Sequence, residues 1–466
     1  MNLTQKQKLE QIKNHKNLLL GKNTESELSE IFNSEACQKI LSEYAGIRDR
    51  IYTTTKTVLT FIKQALHQDK SCRNAVSGVC AEKILANKEV SCKTGAYCKA
   101  RKKLSENAVH ELSNEVAKGA SKIAPIQWRP LHQREIKIAD GSTLTAADTE
   151  ENQKAFPQHK NQKKGCGFPL LRIVVVTSLV TGLVCDYSIA AYKGKGTGEF
   201  ALLRNIFSCI EKDDILLGDR YFPSFFVMSD LITAEADGIF RGHHQRHYDF
   251  RTGDRLGKKE HVLWWNKPTR PEWMDKKIYD SYPKKIQIRE FKVNGNVYVT
   301  TLLDPKKYPK KELVGIYERR WDIEINLRHI KSTMSMDFLT CKTPDMVKKE
   351  IGIHLLAYNC IRMIMLEACK KHEATPWKIS FKGSLQLINQ WLPILLNADL
   401  NESKRLYEKL LELIVKNKVG NRPGRIEPRV IKKRGQGYSR LSRPRADEKS
   451  RLKKKIEKRM SKDAAA

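Results

Sequence analysis

The chain has 466 residues, 40% of them hydrophobic, enough for real cores in two to four domains and too apolar for wholesale disorder. Lysine and arginine number 86 against 53 aspartate and glutamate, and the net charge of +33 calls for a polyanionic partner. Nucleic acid fits best, although a membrane surface or ribosomal RNA would also answer the charge.

The opening stretch, MNLTQKQKLEQIKNHKNLLL, lacks the apolar core of a secretory signal. The most apolar run, IVVVTSLVTGLV (173–184), is too short to span a bilayer and reads as two buried strands meeting at a turn. A cytoplasmic protein without a membrane partner is expected. Eleven cysteines are scattered without a CxxC pair, which favours reduced thiols over a structural zinc site.

Residues 1–125 read as helical: SELSEIFNSEACQKILSEY and TKTVLTFIKQALHQ carry apolar residues at helical spacing. SCKTGAYCKARKKLS (91–105) reads as a turn feeding a basic helix, suited equally to a DNA groove and to a solvated face. From residue 134 the pattern changes. REIKIADGSTL predicts a strand ending at Asp140 before a glycine turn, and LRIVVVTSL and GLVCDYSIAAY predict two more strands joined at Thr181-Gly182. A helix over 196–212 follows, then a short buried strand in DDILLGDRYF ending at Asp219, a helix in SFFVMSDLITAEA and a strand in DGIFRG.

Residues 242–295, rich in Trp, Pro, Lys and Arg, read as a β-rich insertion. NVYVTTLL (296–303) returns to strand character, residues 346–418 to helix, and the basic end (421–466) predicts an extended arm along DNA. The expected organisation is therefore 1–125 helical, 126–241 and 296–345 an α/β core, 242–295 inserted, 346–420 helical and 421–466 a basic tail.

The stretch YERRWDIEINLRHIK (317–331) predicts a helix with two stripes. At about 100° per residue, Tyr317, Arg320, Glu324 and Lys331 share a strip about 60° wide. Ile316, Ile323, Leu327, Ile330 and Met334 form an apolar stripe beside it. A charged strip next to an apolar one is ordinary for a surface helix, where Glu324 would merely pair with Arg320 or Arg328. Asp140 and Asp219, each at the end of an apolar strand, change the balance. Carboxylates from two strands and a helix would hold two Mg²⁺ ions roughly 4 Å apart, with Arg320 and Lys331 on neighbouring phosphates.

The Tyr-x2-Arg-x3-Glu-x6-Lys spacing resembles the YREK signature of a group of bacterial insertion-sequence DDE transposases. IADGSTL and LLGDRYF are similar to that group's two aspartate motifs, in the same order. The likeness continues through DTEENQKAFPQHKNQKKGCGFPLLRIVVVTS, YKGKGTGEFALLRNI, VTTLLDPKKYPKKEL and RPGRIEPRVIKKR, from about 60 to 445. It implies a ribonuclease-H-like core with a β-rich insertion, flanked by helical regions. It also implies Asp140, Asp219 and Glu324 as catalytic metal ligands for Mg²⁺, with Mn²⁺ able to substitute.

The same resemblance implies Tyr317, Arg320 and Lys331 as contacts to DNA phosphate, and Tyr298 as the aromatic placed to stack a flipped base. Further implications are a homodimer synapsing two inverted repeats, cut-and-paste transposition through a DNA hairpin, and a nucleoid-associated bacterial location. A catalytically inactive DNA-binding protein and a ribonuclease-H-like structure-specific nuclease remain alternatives. Elsewhere, His243, His244 and His247 read as a DNA-facing loop rather than a zinc site, with His261 downstream. GKGTGEF (194–200) lacks P-loop spacing and reads as a turn or a phosphate contact, and Asp148 as a loop or capping residue.

Overall fold

A computed structural model describes residues 32, 34–44, 51–85, 87, 91–420 and 439–463. Its centre is a nine-stranded sheet in the order β3-β2-β1-β4-β5-β9-β8-β7-β6. Strands β1 (Ile136–Thr145), β2 (Leu170–Ser178) and β3 (Val184–Ala191) run antiparallel, while β4 (Ile215–Gly218) and β5 (Asp237–Arg241) join β1 in parallel. This five-strand arrangement is that of a ribonuclease-H-like core. The apolar run of β2 does not alternate, because helices cover both faces of the sheet. Ile173 and Val175 pack into one core and Val174 and Val176 into the other.

The turn between β2 and β3 falls at Thr181-Gly182, as the sequence indicates. Gly182 takes φ +70°, and the Arg362 guanidinium lies so close that a Cβ would stand 3.1 Å from it. The strand carrying Asp140 does not end there, however. It continues through Gly141 to Thr145, in register with Leu170–Ser178 across from it. Gly141 therefore serves close approach rather than a turn, since a Cβ would sit 2.5 Å from the Glu199 side chain.

The segment 242–295 does carry strands: β6 (Asp254–Gly257), β7 (Glu260–Asn266) and β8 (Lys285–Val293). They extend the central sheet, with β9 (Asn296–Thr300) as the bridge between β5 and β8. Asn294 and Gly295, both at positive φ, make the tight β8–β9 turn.

Helices α1 (Glu35–Glu43), α2 (Thr54–Leu66), α3 (Cys72–Leu85), α4 (Gly95–Lys103) and α5 (Glu106–Ile123) precede the sheet. In α4 Tyr97 and Arg101 are buried, while Lys99, Lys102 and Lys103 face solvent. Inside the core, α6 (Glu150–Ala155) follows β1, α7 (Glu199–Asn205) follows β3 and α8 (Phe225–Thr233) follows β4. The helix expected over 196–212 is shorter: α7 gives way to a 3-10 turn at Phe207–Cys209. A short α9 (Lys276–Ser281) sits between β7 and β8.

The helix expected over 317–331 changes pitch three times. α10 (Lys310–Glu318) passes into a 3-10 turn (Arg319–Trp321), then α11 (Asp322–Arg328) and a π-turn (His329–Thr333). Its apolar stripe of Ile316, Ile323, Leu327, Ile330 and Met334 is buried as expected.

α12 (Pro344–Lys371) has the length and apolar character of a membrane span, but 89% of its most apolar window is buried inside the protein. It packs against α2, α5 and α14 (Leu400–Lys416), with α13 (Phe381–Asn397) beside α14. The tail differs from an extended arm over its last part, where α15 spans Arg445–Asp463. Its segment 421–438, and with it all of RPGRIEPRVIKKR, lies outside the described residues, as do the first 31 positions.

Candidate active site

The parallel pairing of β1 and β4 matches Ile138 with Leu217. Two residues further on, each strand reaches an aspartate, Asp140 and Asp219. In the same way Gly218 pairs with Phe240, so Asp219 comes level with Arg241, which pairs with Tyr298; Tyr298 in turn pairs with Phe291. One row thus crosses the sheet as Asp140, Asp219, Arg241, Tyr298 and Phe291. Its face is set by alternation. Ile138, Leu217, Tyr298 and Phe291 all belong to the core that also contains Ile316, Tyr317 and Ile323. Both aspartates are therefore directed to the face on which α10 and α11 pack.

The helix meets this row along its length. The Tyr317 ring stands edge-on to Tyr298 at 5.4 Å, and its hydroxyl reaches the Arg241 backbone. Arg320 lies within electrostatic reach of Asp140 and ion-pairs Glu324 at 3.4 Å. The Lys331 Nζ donates to Ser142 Oγ at 3.0 Å, two residues along β1 from Asp140 and on the same face. The four residues of the polar strip are thus brought to one edge of the sheet. Glu324 is the most open of them, its side chain 44% exposed.

Asp140 accepts from the Gly141 amide at 2.9 Å. Its carboxyl is pushed up to about 6, first by burial, then by the negative charges of Asp219 and Glu199, against the Gly141 bond and Arg320. Asp219 instead turns an oxygen to the Tyr221 amide at 2.8 Å, which fixes the loop after β4. Among the described residues, no three His, Cys, Asp or Glu side chains already form a closed ion cluster, and the Glu324 carboxylate is engaged by Arg320. The donor set nonetheless suits a hard divalent cation. It is made of carboxylate oxygens, partly dehydrated and with excess negative charge around Asp140.

Tyr298 does not fit the expected stacking role. It is 5% exposed, stacked on Phe291 at 5.4 Å and covered at its edge by Tyr317, so no ring face is free for a base. The free aromatics nearby are Tyr221, beside the stacked His243 and His244, and Trp321, adjoining Arg320. His261 is buried against Glu290 at 3.2 Å, away from a metal role with those histidines. Asp148 accepts from Gln153 in the loop before α6.

Three site residues escaped the sequence reading. Ser142 and Arg241 could have been found from strand alternation and register. Glu199 sits in GKGTGEF, whose backbone is tied to β2 by the Arg172 guanidinium donating to Thr197 O at 3.1 Å. Burial raises the Glu199 carboxyl, with Asp219 adding to the rise and Arg172 opposing it.

Two carboxylates on adjacent parallel strands, one within β1 and one just past β4, thus lie under a helix that bears Glu, Arg and Lys. Residues 131–360, just under half of the chain, match a family described as the transposase DDE domain. It is also similar to the Escherichia coli K12 transposase InsG of insertion sequence element IS4, 25% identical over 351 residues, 74% of this chain and 77% of the relative. Two shorter similarities are 31% identical over 72 residues, 16% of this chain. One is to the putative E. coli K12 transposase InsL of IS186A, covering 20% of it; the other is to the E. coli transposase of IS421, covering 19% of it.

Proposed function

We propose that this chain is an insertion-sequence transposase that excises its element by cut-and-paste, through a hairpin at the element's end. The observation that carries the reading is the juxtaposition of Asp140 and Asp219 by strand register, facing the helix that bears Arg320, Glu324 and Lys331. Asp140, Asp219 and Glu324 would hold Mg²⁺ or Mn²⁺, which when bound lowers the pKa of the attacking hydroxyl and neutralises charge on the leaving oxygen.

The protein groups do the positioning. Arg320, released from Glu324, presents a planar fork to a phosphate, while Lys331 offers a point charge from the Ser142 side of β1. Tyr317 is buried and acts by holding the start of the helix on Arg241 and Tyr298, with its hydroxyl at the edge of the site. In sequence, water opens one strand at the element's end, and the freed 3′-hydroxyl attacks the opposite strand to close a hairpin. Water reopens the hairpin, and the 3′-hydroxyl then joins target DNA. The partners are double-stranded terminal repeats and target DNA, with two copies of the chain in the synapse; the setting is the bacterial cytoplasm at the nucleoid.

The test uses an end-labelled duplex carrying the inverted repeat that flanks the gene, with protein and Mg²⁺, on a denaturing gel. A nick at the repeat's end followed by a hairpin species, absent with Glu324→Gln, is expected. Binding without cleavage in both Mg²⁺ and Mn²⁺ would leave a DNA-binding protein instead.

A further inference from the structure

The segment 334–341, which leaves the catalytic helix, is bound on three sides. Its own amides turn back on the π-turn: Met334 N donates to His329 O, Met336 N to Ile330 O and Asp337 N to Lys331 O. It also pairs with the far end of the Asp140 strand, Thr145 N donating to Asp337 O at 3.1 Å and Leu339 N to Thr145 O at 2.8 Å. On the third side stand two cations from the N-terminal helices. Lys70, between α2 and α3, donates from Nζ to Met334 O and to Ser335 O, both at 2.9 Å, with His354 Nε2 at 3.5 Å. Arg101 of α4 reaches Cys341 Sγ at 3.1 Å.

These two cations share one buried frame. Gln64 of α2 donates to Lys70 O at 2.6 Å and accepts from the Tyr97 hydroxyl at 2.8 Å and from Arg101 at 3.2 Å. Ser335 sits at φ +54°, so its carbonyl and that of Met334 are turned out as the unpaired acceptors of a helix end. A lysine ammonium there meets both the carbonyls and the negative end of the helix dipole. His354, buried and held neutral by burial, can accept the third hydrogen bond.

We propose that Lys70 and Arg101 are positioning residues for catalysis, clasping segment 334–341 so that the helix bearing Glu324 and Lys331 is held in register with the Asp140 strand. The inference rests on the transposase reading above. It makes the N-terminal helices part of the catalytic scaffold and not only a tethered DNA-binding module. The route is short: Lys70 fixes the carbonyls of 334 and 335, and three residues back the chain carries Lys331, whose carbonyl is held by Asp337.

The experiment compares full-length wild type, Lys70→Met and Lys70→Arg in single-turnover nicking at saturating end duplex, with end affinity measured separately. Amide hydrogen exchange of the three proteins is read without DNA. Lys70→Met is expected to slow nicking by roughly tenfold to a hundredfold, the scale of a misplaced catalytic group, while affinity stays within about twofold. Its exchange should quicken locally over 330–341, and Lys70→Arg should restore most of both.

A purely structural tie would lower the unfolding temperature yet leave the rate per folded molecule unchanged, and that result overturns the proposal. So does unchanged exchange over 330–341 in Lys70→Met. If the wild type itself fails to nick, the transposase reading falls and the positioning role falls with it. The exchange comparison then still decides whether the clasp exists. Arg101→Gln, which loses the other arm, should show the same split between rate and affinity.

Discussion

Arg289 offers a test of how the inserted strands support the site. Its side chain is 0% exposed, on β8. It pairs with Glu260 through Nε at 3.0 Å and through Nη2, and donates to the carbonyls of Leu302 at 3.2 Å, Asp304 at 3.4 Å and Tyr308 at 2.8 Å. Those carbonyls belong to the loop that feeds α10, so one guanidinium joins the inserted strands to the start of the helix that leads to Arg320 and Glu324. Arg289→Met leaves a buried carboxylate with only Lys310, at 3.2 Å, and three carbonyls without this donor.

Removing one partner of a buried pair costs about 3–5 kcal/mol. Lys310 offsets part of this, and the orphaned carbonyls add to it, each by about 1 kcal/mol or more. We expect a net loss of about 4 kcal/mol in urea unfolding. Removing both charges, as Arg289→Met with Glu260→Leu, should recover about half, because only the carbonyl loss remains. Glu260→Leu alone, which strands the buried guanidinium, completes the double-mutant cycle, and the coupling should exceed about 2 kcal/mol in magnitude. A coupling near zero, or a loss below about 1 kcal/mol for Arg289→Met, would refute the view that this pair anchors the insertion.

Divalent metal should stabilise the wild type by mass action: at tenfold excess over its dissociation constant, about 1.4 kcal/mol. Asp140→Asn, Asp219→Asn and Glu324→Gln should each abolish that gain in thermal unfolding; a gain that survives all three would place the ion elsewhere. Burial, with Lys70 beside it, lowers His354 to about 3 in the fold, against an ordinary value near 6.5. The folded state then refuses a proton that the unfolded chain accepts, so this stability is present above pH 6.5 and is lost as pH falls towards 3. His354→Gln should remove up to about 1.4 kcal/mol per pH unit from the slope of unfolding free energy over that window; an unchanged slope would count against a neutral buried ring. Tyr298→Phe should leave nicking within about twofold, whereas Tyr298→Ala should cost about 3–5 kcal/mol of stability, as for other buried aromatics. A large loss of cleavage in the stable Phe variant would return Tyr298 to a DNA role. End-duplex affinity should fall steeply with salt, since many Lys and Arg displace counterions, and a flat response would refute phosphate tracking.

The parts of this site legible in the sequence are those with short-range causes. A helix's two stripes follow from its own periodicity, and the burial of Ile316, Ile323, Leu327 and Ile330 follows from the apolar one. Strand ends announced by turn residues exposed Asp219 in the same way. The DGS run misled at Asp140, because its glycine is needed for a partner 58 positions away: Glu199 packs against Gly141, and the strand runs on. Glu260 and Arg289 are 29 residues apart, and nothing local marks them as a pair.

Tyr298 shows the same limit from the other side. Its strand was evident, but its register against Arg241 and Phe291 decides that the ring is core rather than free. Register is also what makes Asp140 and Asp219 neighbours: each strand alone offers one carboxylate, and only the parallel pairing of Ile138 with Leu217 puts both under one helix. The chemistry of the site was therefore written in residue types, while its geometry arises from pairings that no window of sequence contains. A variant that shifts β4 by one residue would turn Asp219 to the opposite face. It would keep Asp140, Asp219, Arg320, Glu324 and Lys331 and, on the proposed function, should abolish cleavage.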